Sequence, residues 1–531
     1  MDRLILAARV ARLCTELHRR WDPSRLSMSR RGRLLACLLA AGLAVTAYGC
    51  KPPEREGLAG EIDAIVLSAM EEGPIAGVSV AVARGSRIVH MDGYGYADLE
   101  NEIEVTPETV FKIGSITKLF TAAAIVGLED EGDLSFDDLV TDYIPDYPGN
   151  ASEVSISSLL SHTSGIKNYT TMDRWWETLA LEMSPRRLIG IFENEPFDFR
   201  PGTRFSYSNS GYVLLGLIAE EVSGQPFGGL LNERLFVQHG LGAKSYCDDR
   251  ALIPNRASGY QALEGGFQHA AHVSMSQAYA AGGVCSTGRD LLRWSRILAG
   301  GSVVGRDGYE LMSEPAALRD GTAIEYGYGM AIGYLEGHHR ISHVGGMLGF
   351  AGQIAHYDED DVTIVVLTNT EGAKAANIEA AIARLMLGLG DQEILDLLLA
   401  PEELSPYLGT YDLSLTTVDV SSDDGRLVAE VDVPGLRGTY TLLHQGGGRF
   451  LAETDSEISI EFPASADPQS GFVLTHKGIT MHGERISSWR AARAVPLPGF
   501  LGASTRRRQS RTRAGSRAWR SQIERFRSPL C

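Results

Sequence analysis

Two stretches of the 531-residue chain place a serine three residues ahead of a lysine: Ser115-Ile-Thr-Lys118 and Ser164-Gly-Ile-Lys167. On a helix, positions i and i+3 share a face, so a hydroxyl and an amine at this spacing can share a proton, as a serine nucleophile and its base must. The first copy follows Gly114 and opens an apolar run. That places the Ser115 hydroxyl at the positive end of a helix dipole and Lys118 one turn inside, away from water. The second copy has Gly165 directly after its serine and His162-Thr163 ahead of it, which suits a turn rather than a helix start. The chain has seven lysines beside 42 arginines. Lysine at position 118 is therefore chemically pointed, because a desolvated ammonium can shed its proton and a guanidinium cannot. A lone serine at a helix start is more often an N-cap than a nucleophile. Ser115 gains its weight from Tyr207-Ser-Asn209 and His343-Val-Gly345 further along the chain. No Gly-x-Ser-x-Gly elbow, the mark of the other common serine hydrolase design, occurs. Neither Cys-x-x-Cys nor His-Glu-x-x-His occurs, and His338, His339 and His343 lack companions at zinc spacing, so no metal or cofactor is expected.

These residues need elements to hold them. Gly77 to Ala83 and Ser86 to Met91 read as a strand pair around the Arg84-Gly85 turn. Ser115 to Glu131, with Ile116, Leu119, Phe120, Ala123 and Ile125 on its apolar side and Gly132 after it, reads as a largely buried helix. Further helices are expected over 155–160, 212–222 and 290–298, the last opened by Ser286-Thr287. Strands return over 328–334, 352–357 and 362–368, with Asp358 to Asp361 as an exposed turn. Strands first, helices next and strands last describe an α+β domain: an antiparallel sheet closed by both chain ends, flanked by helices, with a helical subdomain inserted. After Ala400-Pro401 the text becomes alternating and turn-punctuated, as in Leu427 to Val433 and Thr439 to Leu443, which predicts a small all-β domain.

With Ser-x-x-Lys, Tyr-x-Asn and His-Val-Gly in that order, the chain resembles the serine β-lactamase and penicillin-binding-protein superfamily, and within it the class C β-lactamase-like branch. The likeness runs from about Ile62 to about Leu387 and includes Phe111-Lys-Ile-Gly-Ser115, Leu159-Leu-Ser-His-Thr-Ser-Gly165, Phe205 to Tyr212 and Ala281-Gly-Gly283. It implies that Ser115 attacks a carbonyl to form an acyl-enzyme and that Lys118 takes the proton. Tyr207 would pass that proton to the leaving group and later activate water, its pKa lowered by Lys118 and by a charged His343. Asn209 would hold Lys118 and the acyl-side amide. The backbone N–H groups of Ser115 and Gly346, at the end of the His343-Val-Gly345 strand, would cradle the oxyanion. His162 would be a structural residue of the turn beneath the site. Class C β-lactamases carry lysine where this chain has His343. A histidine of pKa about 6.5 is mostly neutral at pH 7 and offers no permanent cation to a substrate carboxylate, which argues for esters, D-peptides or amides over strong β-lactam turnover. The alternative is a non-catalytic sensor or scaffold binding peptidoglycan fragments. Intact Ser115, Lys118 and Tyr207 argue against it. The tail domain resembles the lipocalin-like β domains that follow such hydrolases.

The net charge of -18 divides unevenly along the chain. Residues 1–50 carry nine Arg against three acids and residues 505–531 nine Arg against one, leaving 51–504 strongly acidic and a poor partner for nucleic acid. Arg30, Arg31 and Arg33 precede an apolar run from Leu34 to Tyr48, the pattern of a signal peptide. It closes on Ala47-Tyr-Gly-Cys50, which resembles a bacterial lipobox in its glycine and cysteine but departs from the usual pattern at Ala47 and Tyr48. An ordinary cleaved signal is the competing reading, and either sends the body out of the cytoplasm to the periplasm or cell envelope, Cys50 offering a lipid anchor to the membrane. The expected organisation is a presequence over 1–50 (with 1–27 an over-extended start), a hydrolase domain over 58–395, a β domain over 402–497 and a basic, unfolded tail over 505–531. Cys247 and Cys285 are then the internal cysteines of the exported body, and a disulfide and two buried thiols are equally compatible with the sequence.

Overall fold

The computed structural model describes residues 57–148, 151–242, 246–390, 394–413, 417–431, 436, 438–462, 471–476 and 479–488. The expected presequence with Cys50 and the expected basic tail lie outside the described residues.

Up to Leu387 the main elements are α1 (Leu58–Glu72), β1 (Gly77–Arg84), β2 (Arg87–Asp98), β3 (Ile103–Glu104), β4 (Phe111–Lys112), α2 (Thr117–Asp130), α3 (Asn209–Ser223), β5 (Tyr260–Leu263) and β6 (Gly266–His269). They continue with α4 (Met275–Gly282), β7 (Cys285–Ser286), α5 (Gly288–Ala299), β8 (Ala331–Leu335), β9 (His338–Met347), β10 (Phe350–Tyr357), β11 (Val362–Thr368) and α6 (Ala375–Leu387). Seven strands form one antiparallel sheet in the order β3-β2-β1-β11-β10-β9-β8, so the first and last strands of this sheet in sequence, β1 and β11, meet at its centre. Strand alternation writes the two faces. Val78, Val80 and Val82 of β1 and Val362, Ile364 and Val366 of β11 pack on Ile62 and Val66 of α1 and Ile378 and Ile382 of α6. Ala81, Ala83, Val365 and Leu367 turn to the opposite side, into the larger core shared with α2, α3 and α5. Helix α2 is buried without interruption from Thr117 to Val126, which is why its apolar residues run around the helix instead of forming one stripe.

Several expected boundaries shift. Strand β2 continues to Asp98 because its Asp92-Gly-Tyr-Gly-Tyr stretch, lacking apolar alternation, still pairs with β1 (Val78 opposite Tyr94). Helix α3 begins at Asn209, not Tyr212, which puts Asn209 in its first turn. Strand β8 begins at Ala331, after a loop over 328–330. Helix α5 opens as expected, Thr287 Oγ1 accepting from the Asp290 N–H at 3.0 Å. Helices α1 and α6 were not anticipated; both cover the sheet's second face.

Cys247 and Cys285 are joined by a disulfide, their Cα atoms 5.3 Å apart, which settles the alternative left open by the sequence. The bond ties the segment entering the 247–259 loop to β7, next to the carbonyls of α4 that reach the site. Closing a loop of 38 residues restricts the unfolded chain by about 4 kcal/mol in the entropic treatment. Reduction, or Cys247→Ser with Cys285→Ser, is expected to lower the thermal midpoint by several degrees; an unchanged midpoint would contradict this contribution.

Beyond residue 400, eight strands close into a barrel: β12 (Gly409–Asp412), β13 (Thr417–Asp423), β14 (Arg426–Val431), β15 (Gly438–Gly446), β16 (Arg449–Ala452), β17 (Asp455–Glu461), β18 (Gly471–His476) and β19 (Ile479–Ser488). The closing pair sets Tyr411 opposite Arg485. Eight strands leave an interior about wide enough for side chains, and Tyr411, Phe450, Phe462, Phe472, Val418 and Leu427 fill it.

Candidate active site

Ser115 sits in a single 3-10 turn, Gly114–Ile116, that leads into α2. Two glycines let this turn meet the end of β9. Gly114 has φ +51°, and a Cβ there would stand 2.8 Å from the Gly346 carbonyl oxygen; a Cβ on Gly345 would lie on the Ile113 carbonyl oxygen. The turn and the strand therefore touch backbone to backbone. Gly346 is exposed and Ser115 half-buried, so this junction opens to solvent.

Lys118 is fully buried one turn into α2. Its Nζ lies 2.8 Å from Asn209 Oδ1, 2.8 Å from the Ala281 carbonyl oxygen and 3.2 Å from Ser115 Oγ. None of these partners is a carboxylate, and burial pushes the amine well below the ordinary lysine value. A neutral amine has two protons and one lone pair. The carbonyl oxygens of Asn209 and Ala281 can only accept, so they take both protons and leave the lone pair for the Ser115 hydroxyl. Asn209 is held in turn, its Nδ2 donating to Thr170 Oγ1 at 3.1 Å and its backbone N–H to Asn168 Oδ1 at 3.2 Å. The Ala281 carbonyl is aimed by a break in α4, where Tyr279 adopts φ 39° and ψ -131°. A non-glycine residue there stores backbone strain, and beyond it the Ala280 and Ala281 carbonyls accept from Thr121 Oγ1 and Lys118.

The Tyr207 hydroxyl faces Ser115, and its ring lies 4.9 Å from Lys118 Nζ. Burial pushes the phenol above its ordinary value, the Ser115 hydroxyl opposing it only in part. This corrects the expectation of a phenol lowered by two neighbouring cations: Lys118 is itself driven towards the neutral amine, and so is His343. Burial first, and then the positive charge of Lys118 whenever it is protonated, push His343 down to about 3. His162, expected to be merely structural, holds Tyr207 from both sides. It adopts φ 58°; its carbonyl accepts from the Ser206 N–H at 2.9 Å and its Nδ1 from the Ser208 N–H at 3.2 Å.

The second Ser-x-x-Lys is a turn: Ser164 Oγ accepts from the Ile166 N–H, and Lys167 pairs with Asp198 at 2.7 Å. Ser115, Lys118, Tyr207, Asn209, His343, Gly345 and Gly346 thus converge, while the second pair forms a separate ion pair. Sequence reasoning missed Thr170, Tyr326 and the Ala281 carbonyl. The Ala281-Gly-Gly283 motif was the one available signal, for the last of them. Among the described residues, no cluster of three or more His, Cys, Asp or Glu could hold a metal.

A histidine depressed to about 3 carries a pH signature. The unfolded chain binds this proton near pH 6.5 and the folded chain does not, so stability falls as pH drops from about 6.5 towards 3, by about 1.4 kcal/mol per unit. The thermal midpoint is expected to fall between pH 7 and pH 4.5, and His343→Gln to flatten that slope by about one proton; equal slopes in both proteins would refute it.

A buried lysine bonded to a serine at the start of a buried helix, with a tyrosine alongside and an antiparallel strand end closing over the serine, defines a β-lactamase-related serine hydrolase. Residues 62–387 match the Beta-lactamase family, to which the chain belongs. The chain is 26% identical over 434 residues to penicillin-binding protein 4* of Bacillus subtilis, across 75% of this chain and 93% of that one. It is 26% identical over 326 residues to a D-aminopeptidase of Brucella ovis, across 59% of this chain and 60% of that one. In fold it is similar to the octameric penicillin-binding protein homologue from Pyrococcus abyssi, with a TM-score of 0.56, 24% identity and coverage of 80% of this chain and 99% of that one.

Proposed function

We propose that this is an exported serine hydrolase that works through an acyl-enzyme on Ser115 and acts on esters, D-peptides or D-amino-acid amides in preference to β-lactams. One observation carries the reading: Lys118 is buried, spends its protons on Asn209 and Ala281, and faces Ser115 with what remains. In acylation, the Ser115 oxygen bonds to the substrate carbonyl carbon and its proton passes to Lys118. The oxyanion rests between the N–H groups of Ser115 and Gly346. Tyr207 gives its proton to the departing alkoxide or amine and becomes a phenolate beside the new ammonium. In deacylation, water gives its proton to Tyr207 as it attacks the acyl carbon, and Ser115 leaves with the proton of Lys118, so both bases return to their starting states. The D-aminopeptidase relative supports a D-amino-acid substrate. Export rests on the Leu34 to Tyr48 run, and Cys50 is the proposed site of lipid attachment to the membrane. The test is a panel of short-chain p-nitrophenyl esters, D-amino-acid amides, D-peptides and a chromogenic cephalosporin. Turnover of an ester or D-substrate that is faster than the cephalosporin and lost in Ser115→Ala is expected. A cephalosporin turned over fastest, or activity surviving in Ser115→Ala, would overturn the proposal.

A further inference from the structure

Beneath the site, Tyr326 joins two buried imidazoles, its hydroxyl 3.0 Å from His343 Nε2 and 3.3 Å from His162 Nε2. The outer ends of this chain dictate where its protons lie. His343 Nδ1 is 2.6 Å from the Val344 carbonyl oxygen, which can only accept, so Nδ1 carries the proton and Nε2 is bare. His162 Nδ1 receives the Ser208 N–H, so its proton is on Nε2 and points at the Tyr326 oxygen. Tyr326 then has one consistent role: it accepts from His162 and donates to His343. Tyr212 also lies against this hydroxyl, but its own proton goes to the Leu160 carbonyl at 2.8 Å, and its oxygen does not compel a donor as a bare imidazole nitrogen does. The groups facing His343 are Lys118 from α2, Tyr207 from the segment before α3, Tyr326 from the loop before β8, and His162 behind Tyr326.

We propose that Tyr326 is a positioning residue for specificity: by donating to His343 Nε2 it fixes the Nδ1–H tautomer and occupies the nitrogen that would otherwise present a proton to substrate, so the site selects acyl groups without a carboxylate. This rests on the hydrolase reading above and deepens it by naming the substrate class. An imidazole whose Nε2 already accepts a buried hydrogen bond has no second N–H with which to meet an anion. Protonating it forces the Tyr326 hydroxyl to turn away while His162 still points its own N–H at the same oxygen.

The experiment compares p-nitrophenyl butyrate with the mono-p-nitrophenyl ester of succinic acid, near-matched acyl groups that differ in one carboxylate, at pH 6 and pH 8. Wild type is expected to favour the butyrate at both. Tyr326→Phe keeps the ring and frees Nε2; burial still opposes charge on His343, but a substrate carboxylate against the freed nitrogen favours it, so the succinate-to-butyrate ratio of kcat/KM is expected to rise about tenfold at pH 6 and little at pH 8. A ratio unchanged at both pH values overturns the proposal, since a merely structural tyrosine would lower both activities together. Long-range 1H–15N spectra of the wild type give a second reading that survives failure of the variant to fold. His343 as Nδ1–H and His162 as Nε2–H from pH 8 to 5.5 supports the chain, and the reverse tautomers, or a charged ring at pH 6, overturn it. Wild type with both tautomers as stated but no turnover of either ester sinks the hydrolase reading and the specificity role with it. Turnover with wrong tautomers sinks this inference alone.

Discussion

Lys118→Met is expected to lower kcat/KM for an activated ester by about three orders of magnitude, within the usual range for loss of a positioned base. Lys118→Arg is expected to fall as far. Methionine keeps most of the apolar stem and removes the lone pair that faces Ser115. Arginine keeps the charge and the donors but cannot give up a proton, and it brings a planar fork into a space shaped for one nitrogen between Asn209 and Ala281. If charge were what Ser115 required, arginine would retain activity; if proton acceptance is required, both variants fail alike. Stability is measured alongside, because the methionine leaves the buried Ala281 carbonyl oxygen without its donor, at about 1–3 kcal/mol, and the half-buried Asn209 amide oxygen without one, while relieving the burial of an amine. An arginine variant with a tenth or more of wild-type activity would contradict the role given to Lys118.

The next largest effect is expected from two neighbouring glycines that behave oppositely. A Cβ on Gly345 would lie on the Ile113 carbonyl oxygen and press against Ile116, whereas a Cβ on Gly346 meets nothing within 4 Å. Gly345→Ala must push β9 away from the Ser115 turn and carry the Gly346 N–H off the oxyanion position. Loss of one such donor costs about 100- to 1,000-fold in kcat, and the overpacking adds about 1–3 kcal/mol of destabilisation. Gly346→Ala is expected to fold normally and to keep its backbone donor, with an effect under tenfold. Purifying both, checking their melting and comparing kcat for one ester decides it. Equal losses, or a larger loss in Gly346→Ala, would show that backbone contact at this junction does not set the rate.

The site was legible in the chain where chemistry is tied to spacing. Ser115 and Lys118 share a helical face at i and i+3, and the scarcity of lysine in this chain marks Lys118 as a base. The sheet was legible for the same kind of reason, since β1 and β11 alternate or run apolar over seven or eight residues. What escaped was set by tertiary contact. A backbone carbonyl such as that of Ala281 has no side chain to read, and it reaches Lys118 only because Tyr279 breaks α4. Tyr326 lies in no motif and gains its place through two histidines 164 and 17 positions away. Residue type alone makes His343 mostly neutral at pH 7; burial makes it far more so, and burial raises Tyr207 instead of lowering it. Helices α1 and α6 cover the opposite face of the sheet and carry no residue of the site, so no chemical motif marks them.

The central claim is that Ser115 becomes covalently acylated with Lys118 as its base. The most direct measurement is intact-protein mass within seconds of mixing with an activated ester or a penicillin, followed by peptide mapping. Expected is one added acyl mass on the peptide containing Ser115, absent from Ser115→Ala and formed at least 100-fold more slowly in Lys118→Met. An adduct on another peptide, an equal adduct in Ser115→Ala, or turnover with no adduct at any time would contradict it.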